Sequence, residues 1–219
     1  MYYNKSQMKL NLNYTNDIRW ERMSSNHKNL FVPNLFIHIL YEFKDKIDNL
    51  EKINFAVETG TFEGFTSEIM AEHFEQVFTV EKFVTKNPYT GKNNWDLYQK
   101  LLERYSNIQF NEGDSEVFLE GLFKQYPDER FFILLDAHHN ERGPLQKELE
   151  IIRDYSNCKN HVIMVDDGAD LGRGDFPTKE TFTSILKEIN PEYTIINTTL
   201  GNQIYLIYWY EKIHYYNNN

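Results

Sequence analysis

Acids and histidines recur in this chain just after short apolar runs. Glu58 follows residues 55–57, Glu81 follows residues 77–80, and Asp114 comes after residues 108–110 in NEGD. Asp136, His138 and His139 follow residues 131–135, and Asp166 and Asp167 follow residues 161–165. One polar residue there means little, because a buried strand has to end in something polar. A whole series of them lines one edge of a sheet with carboxylates and adds two imidazoles. Such an edge can accept hydrogen bonds from hydroxyls, hold a hard cation or face a positive ligand. The first run leads into AVETGTFEGFT, residues 56–66, where Thr61, Phe62 and Glu63 are bracketed by Gly60 and Gly64. A loop of this kind turns a buried strand into a helix around a small ligand.

The chemistry of the loop narrows that ligand. Glu81 lies about 20 residues further on, where a carboxylate accepts hydrogen bonds from ribose hydroxyls. A dinucleotide is one candidate, but the loop is not G-x-G-x-x-G. Phe62 stands where a glycine would let the backbone approach a pyrophosphate, and Glu58 and Glu63 repel phosphate. The acids suit a ligand with a ribose, a positive charge and no phosphate, a description that S-adenosylmethionine meets. At the far strands, Asp136, Asp166 and Asp167 converge. Unpaired, they repel one another in a partly dry cleft. A hard cation, Mg²⁺ or Mn²⁺, relieves this. The plainer alternative is that Asp167 caps the next segment and the other two face water.

The elements that position these residues follow from periodicity. Apolar runs at 55–58, 77–80, 108–110, 131–135, 161–165, 193–196 and 203–209 read as strands. Stretches with helical spacing lie between them at 66–73, 95–105, 116–126, 144–155 and 179–189. Strand and helix in alternation predict an α/β, Rossmann-like fold with a seven-stranded, mainly parallel sheet and helices on both faces. Between the last two runs, TTLGN has room only for a tight turn, so the sheet ends in a C-terminal antiparallel hairpin. Residues 1–53 read as an N-terminal arm and amphipathic helix (33–50) of the same domain. Residues 54–212 form the main unit, and 213–219 a frayed tail. The irregular stretch 83–94 is long enough to be functional.

VETGTFEGFT, VFTVEKF, NEGDS, LLDAHH and VIMVDDG resemble successive motifs of class I S-adenosylmethionine-dependent methyltransferases, over residues 55 to 210. The resemblance implies that Glu58, Thr59, Gly60, Thr61, Phe62 and Glu63 hold the methionine part of the cofactor. It puts Glu81 at the ribose, Asp114 and Ser115 by the adenine, and Asp136 at the inner edge of the site. The last two motifs look like those of the metal-dependent sugar O-methyltransferases of the macrocin and mycinamicin type. That likeness implies Mg²⁺ on Asp136, Asp166 and Asp167, a sugar or glycan acceptor, and a base beside Asp136. His138 matches that place best and His139 competes with it. Some relatives carry a histidine after the aspartate pair, where this chain has Gly168 and Ala169. Asp136-Ala-His138 also resembles the metal motif of arginase-like hydrolases, but Asn140 stands where a second aspartate is expected. A non-catalytic binding module is a third alternative.

Composition sets outer bounds. The net charge of −10 disfavours a nucleic-acid partner. No apolar run approaches the roughly 18 residues of a membrane span, and the first residues lack the pattern of a secretory signal. The lone Cys158 permits no internal disulfide. The expectation is a soluble cytoplasmic protein with no membrane partner. Its oligomeric state is left open, a homodimer included.

Overall fold

The computed structural model describes residue 47 and residues 50–86, 91, 93–137, 143–166, 168–197 and 204–209. Most of the N-terminal arm, its expected helix and the C-terminal tail lie outside these residues. So do His138, His139 and Asp167.

Among the described residues the chain alternates between strand and helix. It runs β1 (Phe55–Thr59), α1 (Phe65–His73), β2 (Gln76–Glu81), α2 (Trp95–Arg104), β3 (Ile108–Glu112), α3 (Ser115–Gln125), β4 (Phe131–Leu135), α4 (Leu145–Tyr155) and β5 (Val162–Val165). Then follow α5 (Lys179–Ile189), β6 (Thr194–Asn197) and β7 (Tyr205–Tyr208). The strands form one sheet in the order β3-β2-β1-β4-β5-β7-β6. The first five strands pair in parallel, while β7 runs antiparallel to both β5 and β6. This is the mainly parallel sheet with a terminal hairpin that the spacing predicts.

The two-residue period of the strands sorts the core into two layers. Phe131, Ile133 and Leu135 of β4 face one layer with Val57, Ile163 and Ile207, covered by α3, α4 and α5. Phe132 and Leu134 face the other with Ala56, Val77 and Leu206, against Ile69 and Met70 of α1 and Leu101 of α2. Full burial of each such side chain contributes about 1.5–3 kcal/mol, which outweighs the propensity of any single residue. Strand limits differ slightly from the apolar runs. β3 continues to Glu112, because Asn111 and Glu112 pair with Val80 and Glu81 although their side chains add nothing to the core.

The strand order also locates a crevice. From β1 the chain winds outward through β2 and β3, then returns to lay β4 on the other side of β1. Connections leaving β1 and β4 therefore diverge, and ligands of open α/β sheets bind outside the strand ends at that reversal.

His161 belongs to the opposite edge, where β5 begins. It is fully buried, and its Nδ1 accepts the Phe131 N–H at 3.1 Å. That leaves the proton on Nε2, 2.8 Å from Ser156 Oγ, which in turn donates to the Cys158 carbonyl at 3.1 Å. Burial, aided by Lys159 and Arg130, pushes this imidazole down to about 3. The unfolded chain binds the proton near pH 6.5. Native stability is therefore lost as pH falls from 6.5 towards 3. In an NMR titration, the His161 ring should keep the neutral Nε2–H signature at pH 5. A midpoint near 6.5 would contradict the buried network.

Candidate functional site

The glycine loop closes over the crevice by backbone contacts alone at first. Gly60 has φ +86°, and a Cβ there would stand 2.4 Å from the Asp136 carbonyl oxygen at the end of β4. Only glycine permits both the left-handed backbone and that approach. On the other side, the Gly60 and Thr61 N–H groups donate to the Val80 carbonyl of β2, at 2.9 and 3.1 Å. Asp136 N–H donates to both the carbonyl and the hydroxyl of Thr59, at 3.1 and 3.2 Å. The ends of β1, β2 and β4 are thereby fixed against one another.

Each predicted site residue can now be placed on this frame, where the described residues reach it. Glu58 is 2% exposed and lies under the loop. Its Oε2 accepts from Ser67 Oγ of α1 and from Thr79 Oγ1 of β2, the latter at 2.9 Å. Thr61 Oγ1 lies 2.6 Å from Thr79 Oγ1, and since Thr79 donates to Glu58, Thr61 donates to Thr79. Glu81 ends β2 half-buried. Its Oε2 accepts the Phe62 N–H at 2.9 Å and its Oε1 the Phe83 N–H at 2.8 Å. Asp114 precedes α3 without capping it and is ion-paired through Oδ1 with Lys82 Nζ. Gly113 N–H donates to the Glu81 carbonyl at 3.0 Å, so the loops after β2 and β3 run together.

At the far strands, β4 and β5 pair with Leu135 opposite Val165, and Asp166 N–H donates to the Leu135 carbonyl at 3.2 Å. Asp136 and Asp166 thus leave the sheet side by side, Asp136 half-buried and Asp166 buried. Two hard-oxygen donors on adjacent strand ends suit a divalent cation that takes one or two carboxylates and keeps its waters. Among the described residues no group of three His, Cys, Asp or Glu side chains is arranged to hold a metal ion. The expected third ligand, Asp167, and both candidate bases lie outside them.

Several residues that shape the site escape a motif search. Glu148 of α4 is 1% exposed, lies near Ser115 and Thr59, and keeps Oε1 without a partner. The acid thus lies beside the start of α3 and the exits of β1 and β4. Tyr98 of α2 and Asn94 both donate to the Phe62 carbonyl, at 2.6 and 3.3 Å.

Solved structures share this arrangement of strands and helices. The N-terminal domain of EvdMO1 with SAH bound matches with TM-score 0.54 at 12% identity, over 86% of each chain. A provisionally assigned O-methyltransferase of Klebsiella pneumoniae matches with TM-score 0.51 at 15% identity, over 81% of this chain and 80% of that one. The N-methyltransferase NodS of Bradyrhizobium japonicum WM9 matches with TM-score 0.50 at 13% identity, over 85% of this chain and 99% of that one. This is the class I methyltransferase fold. No protein-family model and no curated protein matches the chain. At these identities the likeness concerns the fold. Among the described residues, no helix is long and apolar enough to cross a membrane.

Within the class I methyltransferase fold of this chain, the acids beneath the loop are held differently from those at its rim. Burial is the largest cause that pushes Glu58 up to about 8. Ser67 and Thr79 oppose it, while Asp136 and Glu81 add to it. Burial likewise pushes Glu148 up to about 7, against the hydrogen bonds from Ser115 and Thr59. Near neutrality Glu58 is mostly an uncharged acid, so the loop carries less negative charge than its sequence implies. The native state holds this proton more tightly than the unfolded chain does. Stability is then lost as pH rises from about 4.5 through 8, by at most about 1.4 kcal/mol per pH unit. In urea unfolding between pH 7 and 9, Glu58→Gln should flatten that decline. An unchanged slope would mean that Glu58 is already ionised in the native chain.

Proposed function

We propose that this chain binds S-adenosylmethionine in the crevice between β1 and β4 and methylates a hydroxyl. One observation carries the reading. At the reversal of strand order, the glycine loop and the carboxylate ending β2 meet through the 2.9 Å bond from Phe62 N–H to Glu81 Oε2. The donor set agrees in kind with that cofactor. Glu81 supplies acceptor oxygens for ribose hydroxyls, the residues of the loop surround the methionine part, and Asp114 and Ser115 lie towards the adenine. Solved neighbours include a domain with SAH bound and an N-methyltransferase. An arginase-like hydrolase is not favoured, because it leaves the loop and Glu81 without a role.

For the acceptor, the reading is a sugar or glycan hydroxyl, and it rests on the resemblance of the last two motifs. When bound, the cofactor supplies an electrophilic methyl group, and a divalent ion on Asp136, Asp166 and Asp167 supplies Lewis acidity. The chain itself has two tasks. A sugar hydroxyl has a pKa far above neutral, so its proton must go to a positioned base. His138, two residues beyond Asp136, takes it at a neutral imidazole nitrogen, with His139 as the competing base. The strand ends fix the oxygen relative to the transferred group, which supplies proximity. A hydroxyl on a non-sugar small molecule is the second acceptor class, because nothing in the described residues selects a ring.

Calorimetry should detect binding of S-adenosylmethionine or its demethylated product, and Glu81→Ala should weaken it by about 1–3 kcal/mol. Tighter binding of NAD would sink the reading.

Turnover should stop in excess chelator and return with Mg²⁺ or Mn²⁺. His138→Ala should cost roughly 10²–10⁴-fold, and His139→Ala less. Full activity in chelator would return the aspartates to a purely structural role. A dead His139→Ala variant would reassign the base.

A further inference from the structure

Phe62 is the one non-glycine residue with positive φ among the described residues, at 46°. That backbone is unfavourable for a side chain with a Cβ, so something must hold it. Both ends of the residue are held. Its carbonyl accepts from Tyr98 Oη at 2.6 Å and from Asn94 Nδ2 at 3.3 Å. Its N–H donates to Glu81 Oε2 at 2.9 Å. Tyr98 is itself immobilised. It is fully buried, and its ring stacks on Phe110 with centroids 4.3 Å apart. The Phe62 carbonyl can only accept, so the phenol must donate. Burial, with the Glu81 carboxylate nearby, pushes the phenol pKa upward and keeps that proton in place.

We propose that Tyr98 is a positioning residue which, by holding the backbone conformation of Phe62, orients the Glu81 carboxylate for a pair of neighbouring hydroxyls. This rests on the reading of Glu81 as the ribose carboxylate. The Phe62 and Phe83 N–H groups take one acceptor site on each Glu81 oxygen. Each carboxylate oxygen has a second acceptor site, and with both N–H bonds in place those two sites are fixed as a pair. Two adjacent hydroxyls can then donate to the two oxygens together. Removing the Tyr98 hydroxyl leaves only the longer Asn94 bond on the Phe62 carbonyl, so the residue can leave the left-handed region. Glu81 Oε2 then loses its N–H bond and the carboxylate rotates. The consequence is a loss of selectivity for a vicinal diol rather than a uniform loss of affinity.

Tyr98→Phe removes only the hydroxyl and keeps the ring on Phe110. Binding of S-adenosylhomocysteine and of its 2′-deoxyribose counterpart would be measured by calorimetry for the unmodified chain, Tyr98→Phe and Glu81→Ala. Folding would be followed by circular dichroism. The ribose ligand should weaken roughly 3- to 30-fold in Tyr98→Phe, the span of one lost hydrogen bond, while the deoxy ligand changes less than about twofold. Parallel weakening of both ligands, or an unchanged ratio, overturns the proposal even where Glu81→Ala loses binding. If the unmodified chain binds neither ligand, the ribose reading fails and this inference falls with it. A readout on the unmodified, ligand-free chain guards against a variant that does not fold. The Phe62 amide should be strongly protected from hydrogen exchange, and rapid exchange there overturns the proposal as well.

Discussion

The approach of Gly60 to the Asp136 carbonyl is the contact on which the site depends. β1 and β4 lie side by side in parallel, and each must release its chain at the same edge. The loop after β1 can cross the exit of β4 only because residue 60 has no Cβ, which would stand 2.4 Å from that oxygen. With the loop seated there, the other contacts follow in turn. Gly60 and Thr61 reach the Val80 carbonyl, Phe62 reaches Glu81, and Thr59 takes the Asp136 N–H. A larger residue at 60 would part the strand exits as well as strain one turn.

Beneath this frame lie two acids whose burial overrides their usual chemistry. Charging a carboxylate in a dry site costs far more than neutral hydroxyl donors return. Burial is the largest cause at both Glu58 and Glu148, so both are displaced upward. Glu58 acts as a hydrogen-bonding strut between α1 and the ends of β1 and β2. The acids that remain at the rim are less enclosed: Glu81 and Asp136 are half-buried and Asp114 is exposed. Acidity in the motif thus divides into buried acids below and more open acids above.

Much of this was legible in the sequence, for physical reasons. Strands buried on both faces read as apolar runs, and the segment between the last two is too short for a crossover, so both the alternation and the terminal hairpin could be derived. The glycine loop and Glu81 stood out because a left-handed turn and a strand-end acid are chemically unusual. Tyr98 and Glu148 did not, because each looks ordinary within its helix. A signal was nonetheless present. Glu148 lies three residues after Leu145 and four before Ile152, on a face that is otherwise apolar, where an unpaired acid is out of place. Tyr98 lies three before Leu101 in the same sense. Strain at Phe62 had no sequence signal, since a phenylalanine does not announce a positive φ. His138, His139 and Asp167 rest on their spacing from Asp136 and Asp166.

The most direct test of the central claim is a crystal structure of the chain with S-adenosylhomocysteine. The account predicts density in the crevice between β1 and β4, with the ribose hydroxyls on both oxygens of Glu81 and the amino-acid end against the loop from Gly60 to Gly64. A ligand bound elsewhere, or a Glu81 carboxylate turned away from the ribose with the Phe62 bond broken, would contradict it.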